Sequence, residues 1–109
     1  MSEQYKTLAQ LTPVANTLTT AYTVPASTST TISSLVICNT NSFDSTFRIS
    51  IMIGGATNAI KQYIYYDLPI VNNDTFIATI GLTLAATDVV SVQAGTTGIA
   101  FNIFGVEIQ

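Results

Sequence analysis

Between Ile60 and Leu84 the chain alternates with a period of two, and this limits its possible folds more than any other feature. In the first half Ile60, Ile64, Tyr66, Leu68 and Ile70 fall on one side, with Gln62 the polar exception. Lys61, Tyr63, Tyr65 and Asp67 fall on the other. After Asn72-Asn73-Asp74, one side carries Phe76, Ala78, Ile80, Leu82 and Leu84, and the other Ile77, Thr79, Gly81 and Thr83. Successive side chains of a strand point to opposite faces, so this period belongs to a strand with one covered face. Asn and Asp suit the turn because they tolerate left-handed backbone and bond their own main chain. The pattern predicts a β-hairpin whose outward row is Lys61, Tyr63, Tyr65 and Asp67.

The rest of the chain repeats the period in short pieces. Asn16 to Val24 reads as a strand that stops at Pro25, which has no N–H to continue a ladder. Thr30 to Cys38 is the next, and its Leu35-Val36-Ile37-Cys38 is apolar on both faces, as in a central strand or a contact between subunits. From Thr46 to Ile53, Phe47, Ile49, Ile51 and Ile53 point inward and Arg48, Ser50 and Met52 outward. Gly54-Gly55 ends that strand, since glycine accepts positive φ without a steric penalty. Asp88 to Ala94 and Ile99 to Ile108 are joined by Gly95 to Gly98, which reads as a four-residue hairpin loop. In the last strand Ile99, Phe101 and Ile103 share one face while Phe104, Val106 and Ile108 share the other. Either a β-bulge beside Gly105 shifts the phase, or both faces are covered. Residues 1–12 form an arm or an edge strand set off by Pro13, and residues 13–109 a single domain. About eight short strands with turn signals near every ten residues predict an all-β antiparallel sandwich, jelly-roll in preference to immunoglobulin-like.

Composition then removes several functions. Charged residues make up 8% of the 109, against about 25% in ordinary globular chains. The only cations are Lys6, Arg48 and Lys61, too few and too scattered for the footprint that displaces counterions from phosphate, so no nucleic-acid partner is expected. No apolar run of eighteen residues and no charged-then-apolar opening occurs, so neither a membrane span nor a cleaved leader is expected. There is no His, which removes Ser-His-Asp and Cys-His nucleophile systems and zinc held by Cys and His. The acids Glu3, Asp44, Asp67, Asp74, Asp88 and Glu107 are scattered, with no spacing that favours a catalytic pair, and Asp74 and Asp88 belong to turns. The loop around Asp44 has too few carboxylates for calcium. No enzyme, cofactor or metal is therefore expected. Cys38 is alone, so no disulfide within the chain is possible, and it reads as a small buried hydrophobe. A surface so poor in charge has little protection against association. Tyrosine favours interfaces because it joins an apolar ring to a polar tip, so the Tyr63–Tyr65 row is either an interface or the lining of a second covered face. Arg48 is left to pair with an acid of its own subunit or of a neighbour.

The series YTVPASTSTTISSLVICN, FRISI, KQYIYYDLPI, NNDTF, GLTLAATDVVSVQAG and FNIFGVEI resembles small virion proteins of tailed bacteriophages, especially phages of cyanobacteria and other aquatic bacteria. The resemblance covers nearly the whole chain and consists of sandwich signatures, with no chemical motif to carry over. It implies a capsid cement or decoration protein, made in the host cytoplasm and seated on the virion capsid as an oligomer, often a trimer. The implied partners are the major capsid protein and further copies of the chain. No contact residue is carried over from the resemblance; the residues themselves offer Tyr5, Arg48, Lys61, Tyr63, Tyr65 and Phe104 as the candidate partner interface. Other proteins of this kind belong to tails or fibres, which implies the alternative of a module that binds host-surface glycan. Tyrosines on a strand rather than on loops favour the first.

Overall fold

The computed structural model describes residues 2–109, which form nine strands and two short 3-10 turns. The strands are β1 (Glu3–Leu11), β2 (Thr19–Thr23), β3 (Ser29–Asn39), β4 (Ser45–Met52), β5 (Tyr63–Ile70), β6 (Thr75–Ala78), β7 (Leu82–Leu84), β8 (Val89–Ala94) and β9 (Ile99–Ile108). The 3-10 turns, Ile53–Gly55 and Ile60–Gln62, lie between β4 and β5. Sheet one has the order β1-β9-β3-β6, with β7 also on β3, and sheet two the order β2-β8-β4-β5. All pairs are antiparallel. The architecture is thus the expected all-β sandwich, with one strand more than the sequence pattern suggests.

The pairing is nested. β4 pairs with β5, β3 with β6 and β7, β2 with β8, and β1 with β9, as in one long hairpin rolled over on itself. This corrects both hairpins expected from the sequence. The turn at Val71 to Asp74 forms, with Asn73 at φ 57°, but it carries the chain from sheet two to sheet one, so β5 and β6 do not pair. Gly95 to Gly98 likewise links β8 in one sheet to β9 in the other. Turn chemistry specifies a reversal; it does not specify which strand is the neighbour.

The core lies between the sheets. Ile32, Leu35, Ile37, Phe101 and Ile103 of sheet one face Phe47, Ile49, Val90 and Val92 of sheet two, all at most 1% exposed. Phe47 is the hub, its ring centroid 5.5 Å from Phe76, 5.9 Å from Tyr65 and 6.1 Å from Phe101. Ile53, expected inward, is 76% exposed, because Gly54 and Gly55 at φ 63° and 75° turn the chain away from the sheet.

Bulges decide which side chains reach this core. Opposite Phe47–Ile49 the partners on β5 jump from Leu68 to Tyr65, and Asp67 sits at φ 51°. The extra residue reverses the phase at Tyr66 and Tyr65, and a second shift between Ile49 and Ser50, where the partner jumps from Tyr65 to Tyr63, restores it. Tyr65 therefore points inward onto Phe47 and Phe76, while Ile64 and Tyr66 are exposed. The expected outward row is broken at its centre. β5 is also the edge of sheet two rather than a central strand.

In β9 the alternation is unbroken: Ile99, Phe101, Ile103, Gly105 and Glu107 are buried, and the residues between them are half-buried. The bulges expected beside Gly105 lie instead on its two neighbours, between Thr7 and Ala9 on β1 and between Ile32 and Ser34 on β3. Gly105 is required where they converge: a Cβ there would collide with the Thr31 carbonyl oxygen and stand 3.0 Å from both Ile32 Cα and Leu8 Cδ1.

Candidate interaction surfaces

The connection between β4 and β5 builds the first surface. Gln62 shapes it: its side-chain Oε1 accepts from the Ala59 N–H at 2.7 Å and its Nε2 donates to the Thr57 carbonyl at 2.9 Å. The segment folds back so that Ser50, on the outer side of β4, is fully buried and donates to Asn58 Oδ1 at 3.4 Å. Asn58 in turn donates to the Tyr63 hydroxyl at 2.9 Å. Held this way, the segment presents Ile53 and Ile60, 76% and 88% exposed, next to the half-exposed edge of β5.

Beside it Arg48 is fixed by its own chain. Its Nε donates to Asp67 Oδ1 at 2.6 Å and its Nη2 to Oδ2 at 3.1 Å, a fork that matches a carboxylate. The guanidinium carbon lies 4.1 Å from the Tyr66 ring centroid, within cation–π range. Tyr66 meets Tyr63 edge-on at 5.0 Å and 83°. The hydrogen bonds from Arg48 hold the Asp67 carboxyl below its ordinary value, and the same bonds raise Arg48 further. A recess of about 360 Å³ is lined by Ile60, Tyr63 and Tyr66. Another of about 460 Å³, on the other side of the segment, is lined by Ile51, Ile53, Ala56, Lys61, Gln62 and Ile64.

The outer face of sheet one is the second surface. Strand register aligns Tyr5 with Val106 and Thr7 with Phe104 across β1 and β9, and Val36 with Ile77 across β3 and β6. Tyr5 is 79% and Ile77 62% exposed, while Phe104, Val106 and Ile108 are half-buried. Cys38 belongs to this outer side and is half-buried, not in the core as its apolar strand suggests.

A buried polar network fastens β1 to the body. Glu107, 5% exposed on the inner side of β9, accepts from Tyr22 Oη at 2.5 Å and pairs with Lys6 Nζ at 2.8 Å. The Tyr22 hydroxyl also lies 2.8 Å from Thr30 Oγ1. Lys6 first, then Tyr22, hold the Glu107 carboxyl below the usual carboxylate range. Burial chiefly, with the Glu107 hydrogen bond next, pushes the Tyr22 phenol up to about 12.

The candidates from sequence thus divide. Arg48, Lys61 and Tyr63 gather on the first surface, Tyr5 and Phe104 on the second, and Tyr65 is withdrawn into the interior. Sequence reasoning missed Tyr66, Ile53 and Ile60, which it placed on the covered side. The signal available was Tyr-Tyr-Asp-Leu-Pro itself, where two adjacent aromatics precede an Asp able to take positive φ.

The acids act on backbone and partners. Asp88 accepts from the Gly54 N–H at 2.8 Å and the Ala85 N–H at 2.9 Å, and Asp44 accepts from the Asn72 N–H at 3.0 Å. Among the described residues no three of His, Cys, Asp and Glu come together as metal ligands would. Among the described residues no helix is long and apolar enough to cross a membrane. No known family model matches the chain, and no curated protein matches it either.

Proposed function

We propose that the chain is a capsid decoration subunit of a tailed phage, a homo-oligomeric brick that reinforces the lattice of the major capsid protein. The observation that carries this is the recess of Ile60, Tyr63 and Tyr66 beside a clamped Arg48, with exposed Ile53 and Ile64 lining a second recess of the same β4–β5 connection. Interface energy concentrates in a few bulky apolar and aromatic anchors, with Arg enriched among them. The same groups held open to water gain nothing from exposure. The nested strand order supports a jelly roll: in the immunoglobulin arrangement, ABED on CFG, the first and last strands lie in different sheets, whereas here β1 pairs with β9. Through these anchors the subunit straddles joints between capsid proteins, and the area buried there opposes separation. Each such joint requires on the order of 1,000 Å² or more.

The test is co-sedimentation of the purified protein with capsid shells that lack it, together with antibody labelling of intact virions. Native protein is expected to pellet with shells, and Ile60→Asp to bind about 30-fold more weakly, the loss of one interface anchor. Label spread over the head is expected. Label confined to the tail refutes the reading and favours the alternative, a glycan-binding module. That alternative draws on the perpendicular Tyr63–Tyr66 pair beside Arg48 and Asp67, and glycan-array binding lost in Tyr66→Ala is the outcome it requires.

A further inference from the structure

We infer that the outer face of sheet one is a self-association surface, on which a second copy of the chain packs the same face about a two-fold axis. This rests on the assembly reading but concerns the opposite side of the molecule from the β4–β5 corner, and it replaces the threefold arrangement that the resemblance implies.

Charge is the first argument. On the strands of this face only Glu3, at its rim beside Ile108, is an acid or a cation, because Lys6 turns inward to Glu107. A two-fold pairing brings each patch against its own copy, so a charged face would repel itself; this one has nothing at its centre to repel. Hydration gives the second. Part of the polar surface of the face is already paired within the chain: Gln10 Nε2 donates to Asn102 Oδ1 at 2.7 Å, and Ser33 Oγ donates to the Phe104 carbonyl at 3.1 Å. Those two donors keep their partners when water leaves the face.

Area is the third. Four strands about 4.8 Å apart and a central strand of ten residues make a flat face of roughly 650 Å² before side-chain relief is added. A stable pair needs about 800 Å² from each partner. The face is therefore of the size a dimer uses, while Tyr5, Val36, Phe104, Val106, Ile108 and Ile77 give it the apolar centre such interfaces have. Two sheets so apposed pack about 10 Å apart, as the two sheets within the subunit do.

Analytical ultracentrifugation of the full chain tests this. The native protein is expected to sediment as a dimer at roughly 100 μM, where an interface of micromolar Kd is saturated. Val106→Lys puts a charge at the centre of the face and is expected to weaken dimerisation about a hundred-fold or more. Ile77→Lys, at a side chain already 62% exposed, does the same without touching the core, so a folding defect in the first variant leaves the test intact. Thr20→Lys on sheet two is expected to leave the dimer unchanged. Alkylation of Cys38 by a maleimide reports on the same face and is expected to slow as protein concentration rises. A native protein that stays monomeric, lysine variants that dimerise as tightly as native, or alkylation independent of concentration each overturn the inference. A monomer that still coats shells overturns it alone; a dimer that ignores shells overturns the capsid reading alone.

Discussion

Replacing Tyr22 by Phe removes one oxygen from the interior and tests the network that ties the first strand to the last. The hydroxyl bonds Glu107 at 2.5 Å and lies 2.8 Å from Thr30, which is fully buried, so its loss leaves a carboxylate oxygen short of a donor in a dry place. A hydrogen bond to a charged group contributes about 1.5–3 kcal/mol, and a stranded buried partner adds to the loss. We expect about 2–3 kcal/mol, which for a domain of this size lowers Tm by roughly 10–15 °C. The pH profile separates this cause from simple cavity formation. The folded phenol sits at about 12 against an ordinary 10.0, so the folded state keeps its proton where the unfolded chain loses it. The stability so gained is complete below pH 10 and disappears as pH rises to 12; a shift of that size is worth about 3 kcal/mol. Glu107 works in the other direction. Its carboxyl is held low, so its contribution is complete above the ordinary value of 4.5 and fades as pH falls through the folded value. Urea unfolding of the native chain and Tyr22→Phe from pH 3 to 12 is the assay, with Glu107→Gln completing a double-mutant cycle. Native protein should lose stability on both sides of neutrality, and Tyr22→Phe should lose the Tyr22 share of the alkaline fall. Equal alkaline falls in the two proteins, or a coupling energy near zero between Tyr22 and Glu107, would refute the reasoning.

Other substitutions probe single contacts. Gly105→Ala drives a methyl group into the Thr31 carbonyl and should cost about 2–4 kcal/mol or prevent folding, read by chemical denaturation. Asn39→Ala strands the carbonyls of Phe43, Ile70 and Val71, which its Nδ2 now serves at 3.0, 3.1 and 3.3 Å, and should cost about 2–3 kcal/mol while leaving the secondary structure seen by circular dichroism unchanged. Asp88→Ala frees the amides of Gly54 and Ala85, so amide exchange should accelerate at both positions and at Ile53 between them and the strand. Arg48→Met breaks a clamp exposed to water and should leave Tm within a few degrees while weakening binding to shells, which a co-sedimentation titration separates.

The fold class was legible because strands with one covered face write a period of two, and the inner rows of β4, β8 and β9 carry it. What the period cannot encode is partnership. Asn72-Asn73-Asp74 and Gly95–Gly98 have the chemistry of tight reversals and do reverse the chain, yet each crosses between sheets, because pairing is decided by the roll of the whole chain. The period also fails at an inserted residue. Leu68 and Ile70 lie inward as their spacing predicts, but one step before Asp67 the count is off by one, which sends Tyr65 in and Tyr66 out. That shift took Tyr65 out of the candidate row and put Tyr66 on the surface in its place. In β9 the same kind of ambiguity resolved the other way: the phase change between Ile103 and Phe104 is no bulge of its own, since apolar residues occupy both faces and Gly105 and Glu107 complete the inner row.

Low charge gains its force from where the few charges are used. Two of the three cations are engaged with acids of the same chain, Lys6 with Glu107 and Arg48 with Asp67, leaving Lys61 as the remaining side-chain cation. The ionic groups thus brace the strands that frame the two apolar surfaces, β1 and β9 for one, β4 and β5 for the other. Neither surface therefore spends its interaction energy on long-range steering, which salt would screen. What remains for recognition is apolar area and shape, a short-range and weakly selective force when presented once. On the proposed reading it is presented twice and becomes selective through geometry: a second copy on one face and the capsid protein on the other must sit at a separation set by the 20 Å shortest extent of the molecule. A repeating lattice meets that condition at every position, whereas a single soluble partner meets it only by wrapping around the whole subunit.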